Sequence, residues 1–446
     1  MSRIDPPPAY RNHCVTVYQG DCLDILPTLA DFSVDAIVTD PPAGIAFMGQ
    51  AWDTPGSWRA PVSRHGFTDG AQRLPAPGIG SSRNPVCRRC GRHRRGATAA
   101  AICRCHQPDF DDASARLNDR RAFVSFLAAV MAQCLRVVKP GGHAIVWAIP
   151  RTSHWTATAL DDAGFDVRDV ITHHYGSGFP KSLNLKGDWQ GWGTALKPAS
   201  EHWILARRPL SEANTALNVQ RWQTGALNID AGRRPLNDRL TAGRWPANLL
   251  LSHSLDCNDA CAPDCPVARI DEQSGFSLTR RIRTPSDCGG NTWGGSIQIR
   301  RGPRGYDDSG GASRFFYVSK PSARERDGGL DDLPMRLADP YGQHRGRRST
   351  DKRRFDGRTP RIARNHHPTV KSVVLMRYLC QLITPPGGLI LDCFAGSGST
   401  LIAAASLGFR AIGIEREADY VEIIRRRLDH AEKHAPIQMV SARRAL

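Results

Sequence analysis

The chain has 446 residues, 40% of them hydrophobic, enough for one large domain with insertions or for two to three domains, each with a core. A formal net charge of +17, with arginines bunched between Arg280 and Arg304 and between Arg345 and Arg364, points to a polyanion partner, although a GC-rich genome also inflates arginine. No run of 18 apolar residues exists and the N-terminal M-S-R-I-D-P-P-P has no signal-peptide core, so no membrane association is expected, the expected compartment is the cytoplasm, and the 13 cysteines suit metal better than disulfides.

Val15 to Leu29 predicts a short strand, a Gly20-Asp21 turn and a helix beginning near Cys22, for which Asp21 is a natural N-cap. Val34 to Pro42, V-D-A-I-V-T-D-P-P, reads as a buried strand ending in Asp40-Pro41-Pro42. Between Thr54 and Asp119, Gly, Pro, Ser and Arg break the rhythm of strand and helix, as in an inserted loop. Inside it lie Cys87-x-x-Cys90 and Cys103-x-Cys105. A knuckle pair and a pair on one face of an extended segment can close a tetrahedral zinc site, with His93 or His106 able to replace one ligand and four free thiols as the alternative.

Phe123 to Val138 predicts an amphipathic helix closed by Lys139-Pro140-Gly141-Gly142, then a strand His143 to Ile149, a helix Ser153 to Ala163 and a strand Phe165 to Ile171. Alternating helix and strand imply a doubly wound α/β sheet. Lys181 and Lys197 are candidates for phosphate contact, or simply solvated. From Glu212 to about Arg364 the rhythm fails again. His253, Cys257, Cys261 and Cys265 recur there every four residues, but Pro263 and Pro266 forbid a continuous helix, so a second zinc set would come from a turn plus a loop. Gly311 to Lys320 returns to strand character and is expected to re-enter the main sheet.

The C-terminal unit opens with Arg364 to Lys371, where Thr369 reads as the N-cap of a helix up to Leu382. Leu389 to Leu391 then end a buried strand, and L-D-C-F-A-G-S-G-S-T, Leu391 to Thr400, is strand, glycine turn and helix. Gly396 and Gly398 let the backbone approach a ligand, and the helix from Ser399 offers free N–H groups. Leu401 stands where the third glycine of a nicotinamide fingerprint would fall. Arg410 to Ile414 is the next strand, with Glu415 at its carboxyl end, about 20 residues beyond the glycines, where an acidic residue can take both ribose hydroxyls of a nucleoside.

Together V-D-A-I-V-T-D-P-P and D-C-F-A-G-S-G-S-T resemble the DNA amino-methyltransferases, which methylate an exocyclic NH2 of adenine or cytosine with S-adenosylmethionine. The catalytic loop precedes the cofactor loop, the permuted order of the beta class. The resemblance implies a doubly wound, Rossmann-like methyltransferase sheet. It implies that Asp40, Pro41 and Pro42 act on the amine, and that Asp392, Phe394, Gly396, Ser397 and Gly398 form the cofactor loop. It also implies that Asp21 reaches the adenine of the cofactor, and that Thr369 and Lys371 of an H-P-T-x-K segment help hold it. The family's aromatic after the second proline is Ala43 here; Phe47 and Trp52 are the nearby aromatics able to stack a flipped base, and equally able to be core.

The expected organisation is a catalytic half over residues 1–211, a basic target recognition region with the Cys/His cluster over 212–364, and a cofactor half over 365–446. Double-stranded DNA is the expected partner and adenine N6 the expected target before cytosine N4. Two other readings stand beside this one: a SAM- and DNA-binding protein impaired by Ala43, and an RNA or protein methyltransferase. The resemblance leaves open a companion restriction endonuclease and a homodimer.

Overall fold

The computed structural model describes residues 6–45, 53, 87, 89–90, 92, 94, 102–108, 112–176, 184–236, 239–254, 257, 260–279, 308–320, 323–337 and 362–434. Phe47, Trp52, His93, Lys181 and most of both arginine clusters lie outside them. Ten strands form the main sheet: β1 (Tyr10–Arg11), β2 (Val15–Gln19), β3 (Val34–Thr39), β4 (Val138–Ala148), β5 (Asp166–His174), β6 (Ser200–Arg207), β7 (Leu249–Ser252), β8 (Tyr317–Ser319), β9 (Leu389–Asp392) and β10 (Arg410–Glu415). Their spatial order is β1-β2-β10-β9-β3-β4-β6-β5-β7-β8. The run from β2 to β4 is parallel, β6 is antiparallel to both its neighbours, and β7 and β8 continue parallel to β5.

Strand β3 is buried at all six positions, as a central parallel strand covered on both faces must be. Asp35 is its one carboxylate, and the sheet uses it: Lys139 Nζ lies 2.6 Å from Oδ1 and the amide of Leu389 donates to Oδ2 at 2.7 Å, so one side chain ties β3 to β4 and β9. Ala36 and Val38 face a core built with helices α6 (Val373–Ile383), α7 (Ser399–Ser406) and α8 (Ala418–His434). Ile37 faces the opposite core, built with α1 (Cys22–Ile25), α2 (Asp112–Val137) and α3 (Ser153–Asp162). Helices on both faces of a largely parallel sheet make the doubly wound architecture expected from the sequence.

Two expectations are corrected. Helix α2 begins at Asp112, so the insertion ends earlier than Asp119, and the helix runs directly into β4 without a separate glycine turn. Phe123, Leu127, Val130, Met131, Cys134 and Val137 provide the apolar stripe, so the buried half alone was visible as a pattern. Lys139 to Gly142 is an irregular stretch of β4 beside β3: Gly141 takes φ +77°, and a Cβ on Gly142 would lie 2.6 Å from Val138 Cγ2 and 2.9 Å from the carbonyl of Asp35. The second correction concerns Thr369. Helix α6 starts at Val373 after Ser372, and its first N–H is taken by the carboxylate of Glu325 from a distant segment.

Strands β7 and β8 arise within 212–364 and pair with each other in parallel at the sheet edge, β8 entering where strand character was expected. Helix α4 (Thr215–Trp222) packs on β4 from the same region.

Candidate active site

Where β9 and β3 lie side by side, the chain leaves β9 toward β10 and leaves β3 toward β4, so the connections part in opposite directions. Such a switch point opens a crevice at the carboxyl ends of the strands, the usual place for a ligand in this architecture. A cavity of about 1210 Å³ lies there. Asp21, Asp40, Pro41, Pro42, Thr369, Lys371, Asp392, Phe394, Gly396, Ser397 and Glu415 all line it. The positions singled out from two ends of the sequence thus surround one space, with the exception of Gly398, which is the N-cap of α7, faces Ile424 and does not line the cavity.

At one end is the glycine turn after β9. Asp392 is buried, its Oδ1 accepting from Thr39 Oγ1 at 2.7 Å and from the amide of Phe394 at 3.1 Å; burial raises its pKa and the hydroxyls of Thr400 and Thr39 oppose that rise. Gly396 takes φ +55°, and a Cβ on it would meet His367 Nε2 at 2.9 Å, so glycine is required by both conformation and space. Glu415 spreads its carboxylate over the turn, accepting from the amides of Gly396 and Glu417, each at 2.8 Å. Burial pushes its pKa up to about 7, with those amides pulling the other way. Asp21 caps α1 through the amide of Leu23 at 3.0 Å while still facing the cavity, so its two expected roles are compatible.

Sequence reasoning missed two supports of this end. Arg427 of α8 is buried beneath the turn and donates to the carbonyl of Ser397 at 2.6 Å, to Ser397 Oγ at 3.2 Å and to Ser399 Oγ at 3.3 Å. His367 packs edge-on against Tyr420 at 4.6 Å and is held neutral, its pKa brought down to about 3 by burial and then by Lys371 and Arg427.

At the other end, Asp40 follows β3 with its side chain 17% exposed. Lys371 joins the two ends. Its carbonyl accepts from Ser399 Oγ at 2.8 Å, whereas its ammonium lies 3.1 Å from Asp40 Oδ2, 3.8 Å from Glu201 Oε1 and 3.9 Å from the centre of the Trp147 ring. Burial lifts the pKa of Asp40 to about 6, with Lys371 resisting and Glu201 adding to the rise. Burial alone would raise Glu201 too, but Lys371 and then His173 outweigh it and hold it down at about 2. Glu201 closes the segment G-W-G-T-A-L-K-P-A-S-E, Gly191 to Glu201, which resembles a later motif of the family, but no role at the site was foreseen for it. Trp147, Tyr175, Leu196, Lys197 and Pro198 complete this wall, and Ala43 donates no ring to it. Lys197 is thus at the mouth.

The cysteine sets also converge. Cys87, Cys90, Cys103 and Cys105 bring their sulfurs within 4.8 Å of one another, and so do the ligand atoms of His253, Cys257, Cys261 and Cys265. His106 is not in the first group. Cys265 is the N-cap of α5 (Pro266–Ser274), and the other three ligands of the second set precede it, as the prolines require.

A family model described as DNA methylase matches residues 34–426. The chain belongs to the DNA methylase family. Among curated relatives, Type II methyltransferase M2.DpnII of Streptococcus pneumoniae is 44% identical over 63 residues, 14% of this chain and 24% of that one. DNA adenine methyltransferase YhdJ of Escherichia coli (strain K12) is 33% identical over 79 residues, 18% of this chain and 27% of that one. The matched segments span about a quarter of these relatives. Among solved structures, the cytosine-N4-specific PvuII DNA methyltransferase is 12% identical with a TM-score of 0.43, over 94% of this methylase and 88% of that chain. Among the described residues, no helix is long and apolar enough to cross a membrane.

Proposed function

We propose that this methylase transfers a methyl group from S-adenosylmethionine to the exocyclic amine of a base flipped out of duplex DNA, adenine N6 before cytosine N4. The observation that carries the reading is the sharing of one cavity by a glycine cradle and a carboxylate of raised pKa, joined through Thr39 and Lys371.

The cradle suits the cofactor. Gly396 leaves room where a Cβ would intrude, Glu415 offers buried acceptor oxygens for a hydroxyl pair, and Asp21 stands on the far rim. When bound, S-adenosylmethionine supplies the methyl group on a sulfonium. An exocyclic amine is a weak nucleophile because its lone pair is delocalised into the ring. Asp40, mostly ionised above about pH 6, accepts one hydrogen bond from the NH2, and the carbonyl of Pro41, which lines the same cavity, accepts the other. With its pKa near 6, Asp40 can also receive the proton that the nitrogen sheds after transfer.

The missing aromatic at Ala43 does not favour a disabled enzyme. Trp147 and Tyr175 already wall the end of the cavity that holds Asp40, and a stacked ring is worth about 1–3 kcal/mol per base. We propose further that each cysteine set holds one structural zinc, since four thiolates, or three with an imidazole, within 4.8 Å match the ligands of closed tetrahedral sites. Single-turnover methylation of parallel pools of duplex DNA, RNA and protein, followed by nucleoside and peptide analysis, tests the main reading: N6-methyladenine in DNA is expected, N4-methylcytosine moves the target, and methylated RNA or protein with unmodified DNA refutes it.

A further inference from the structure

We propose that the His253/Cys257/Cys261/Cys265 site, when it holds zinc, fixes the catalytic end of the cavity through a buried polar chain that ends on Asp40. The inference rests on the methyltransferase reading above for its functional part and on contacts alone for its structural part.

The chain begins at the ligand set. His253 is the residue after β7, and its amide donates to the carbonyl of Ser319 in β8 at 2.9 Å, so the first ligand is anchored by the two edge strands. The hydroxyls of Ser252 and Ser319 are bonded to each other, and both residues are buried. Ser252 Oγ lies 2.7 Å from His173 Nε2, at the end of β5. The other ring nitrogen of His173 is 3.5 Å from Glu201 Oε2, close but without hydrogen-bond geometry, so this step of the chain is one of proximity. Glu201 faces Lys371, and Lys371 faces Asp40. Five side chains therefore run from the residue beside a metal ligand to the carboxylate that takes the amine.

A second contact follows a different route. Pro266 succeeds the last ligand, Cys265, and its ring is so close to Gly176 that a Cβ there would lie 2.9 Å away. Gly176 follows Tyr175, which lines the cavity. The ligand region thus reaches the C-terminal end of β5 twice, at His173 through the hydroxyl of Ser252 and at Gly176 through the ring of Pro266.

Among the described residues, the apolar cluster around the ligands is small: Leu251, Cys257, Cys265 and Val267 are buried, two of them ligands, with partly buried side chains such as Phe316 and Val318 packed against them. Four ligand bonds would add substantially to so small a cluster. Losing them frees the end of β7, and with it the hydrogen bond that orients His173. Ser252 and His173 are positioning residues in this account and do not line the cavity; Glu201, which does, acts here through Lys371.

The test uses the full chain, purified with zinc, and two variants. Cys261→Ser removes the exposed ligand, and Ser252→Ala breaks the chain while leaving all four ligands in place. Zinc content, hydrogen exchange at the amides of residues 172–176, SAM affinity by calorimetry, and kcat and KM on duplex DNA are measured. Cys261→Ser should lose one zinc per chain, exchange faster at 172–176, and lose about 2- to 30-fold in kcat with SAM affinity unchanged. Ser252→Ala should keep its zinc, lose part of the same kcat, and be rescued by Ser252→Thr. A Cys261→Ser variant that loses zinc yet keeps both amide protection and kcat overturns the proposal. If that variant does not fold, Ser252→Ala decides alone, and full kcat there overturns it. Should the unaltered chain methylate no duplex, the function is wrong, and the exchange data still decide the coupling.

Discussion

Replacing Lys371 by methionine isolates the electrostatics of the site. The ammonium stands 3.1 Å from Asp40 and 3.8 Å from Glu201, with its side chain 11% exposed, so it is the shared counter-ion of two largely buried carboxylates. Asp40 sits at about 6 with that charge present, because burial and Glu201 outweigh it. An opposite charge at this range moves a carboxylate by about 1–3 pH units, so Lys371→Met should carry Asp40 to between about 7 and 9. Acceptance of a hydrogen bond from the amine needs the ionised form. At pH 7 the ionised fraction should fall from about nine-tenths to about one-tenth at the middle of that range, and the single-turnover rate should fall about tenfold with it. The loss should be recovered on raising the pH, because the carboxylate is still there. The sign for stability runs the other way: a carboxyl whose folded pKa lies above its unfolded value favours the folded state most at low pH, and that contribution fades as the pH rises through the unfolded value toward about 6. Single-turnover rates from pH 5.5 to 9.5 provide the assay. An acid limb that stays near 6 in the variant would refute the assignment of Lys371 as the group that sets Asp40.

Other outcomes follow from the same geometry. Asp40→Ala should abolish methyl transfer while calorimetry finds SAM affinity intact; joint loss would make Asp40 a structural residue. Glu415→Ala should weaken SAM binding by about 10- to 100-fold, the worth of a charged acceptor, with Glu415→Gln losing less because it can still bond the Gly396 amide; equal affinity in all three would remove Glu415 from the cofactor site. Metal analysis should find two zinc ions per chain, and a strong chelator should lower the melting temperature, whereas metal-free protein of unchanged stability would return the cysteines to free thiols. Ala43→Tyr should leave methyl transfer unchanged or raise it, and product that appears only in that variant would show that Ala43 disables the chain.

How much of this was legible in the sequence differs by kind of signal. Strand β3 and the glycine turn after β9 were readable because a central parallel strand is buried on both faces and so mostly apolar, and a turn that approaches a ligand must be glycine. The cysteine sets were readable because metal ligands leave a spacing. Glu201, His367 and Arg427 were not, although each is within bonding distance of a residue that was. Their role comes from where the fold carries them: Glu201 meets Lys371 from a strand laid down 170 positions earlier, and Arg427 reaches back 30 residues to Ser397. No period or motif encodes such a meeting. The start of α2 was missed for a simpler reason: its first turns carry none of the apolar stripe that marks Phe123 to Val137.

The pairing of β3 with β9 has a consequence for how the molecule is made. The hydrogen bond from Thr39 to Asp392 spans 353 positions, so the centre of the sheet cannot close until nearly all of the chain has left the ribosome. At about 5–20 residues per second, β3 waits about 20–70 s for its partner on that side. During that time a largely apolar strand presents an open edge, the kind of surface that joins other nascent chains. The early product can pair β3 with β4 on the other side, which leaves a half-sheet with no cofactor cradle. Yield of folded protein should therefore depend on temperature and chaperone supply during synthesis more steeply than the stability of the finished fold would suggest.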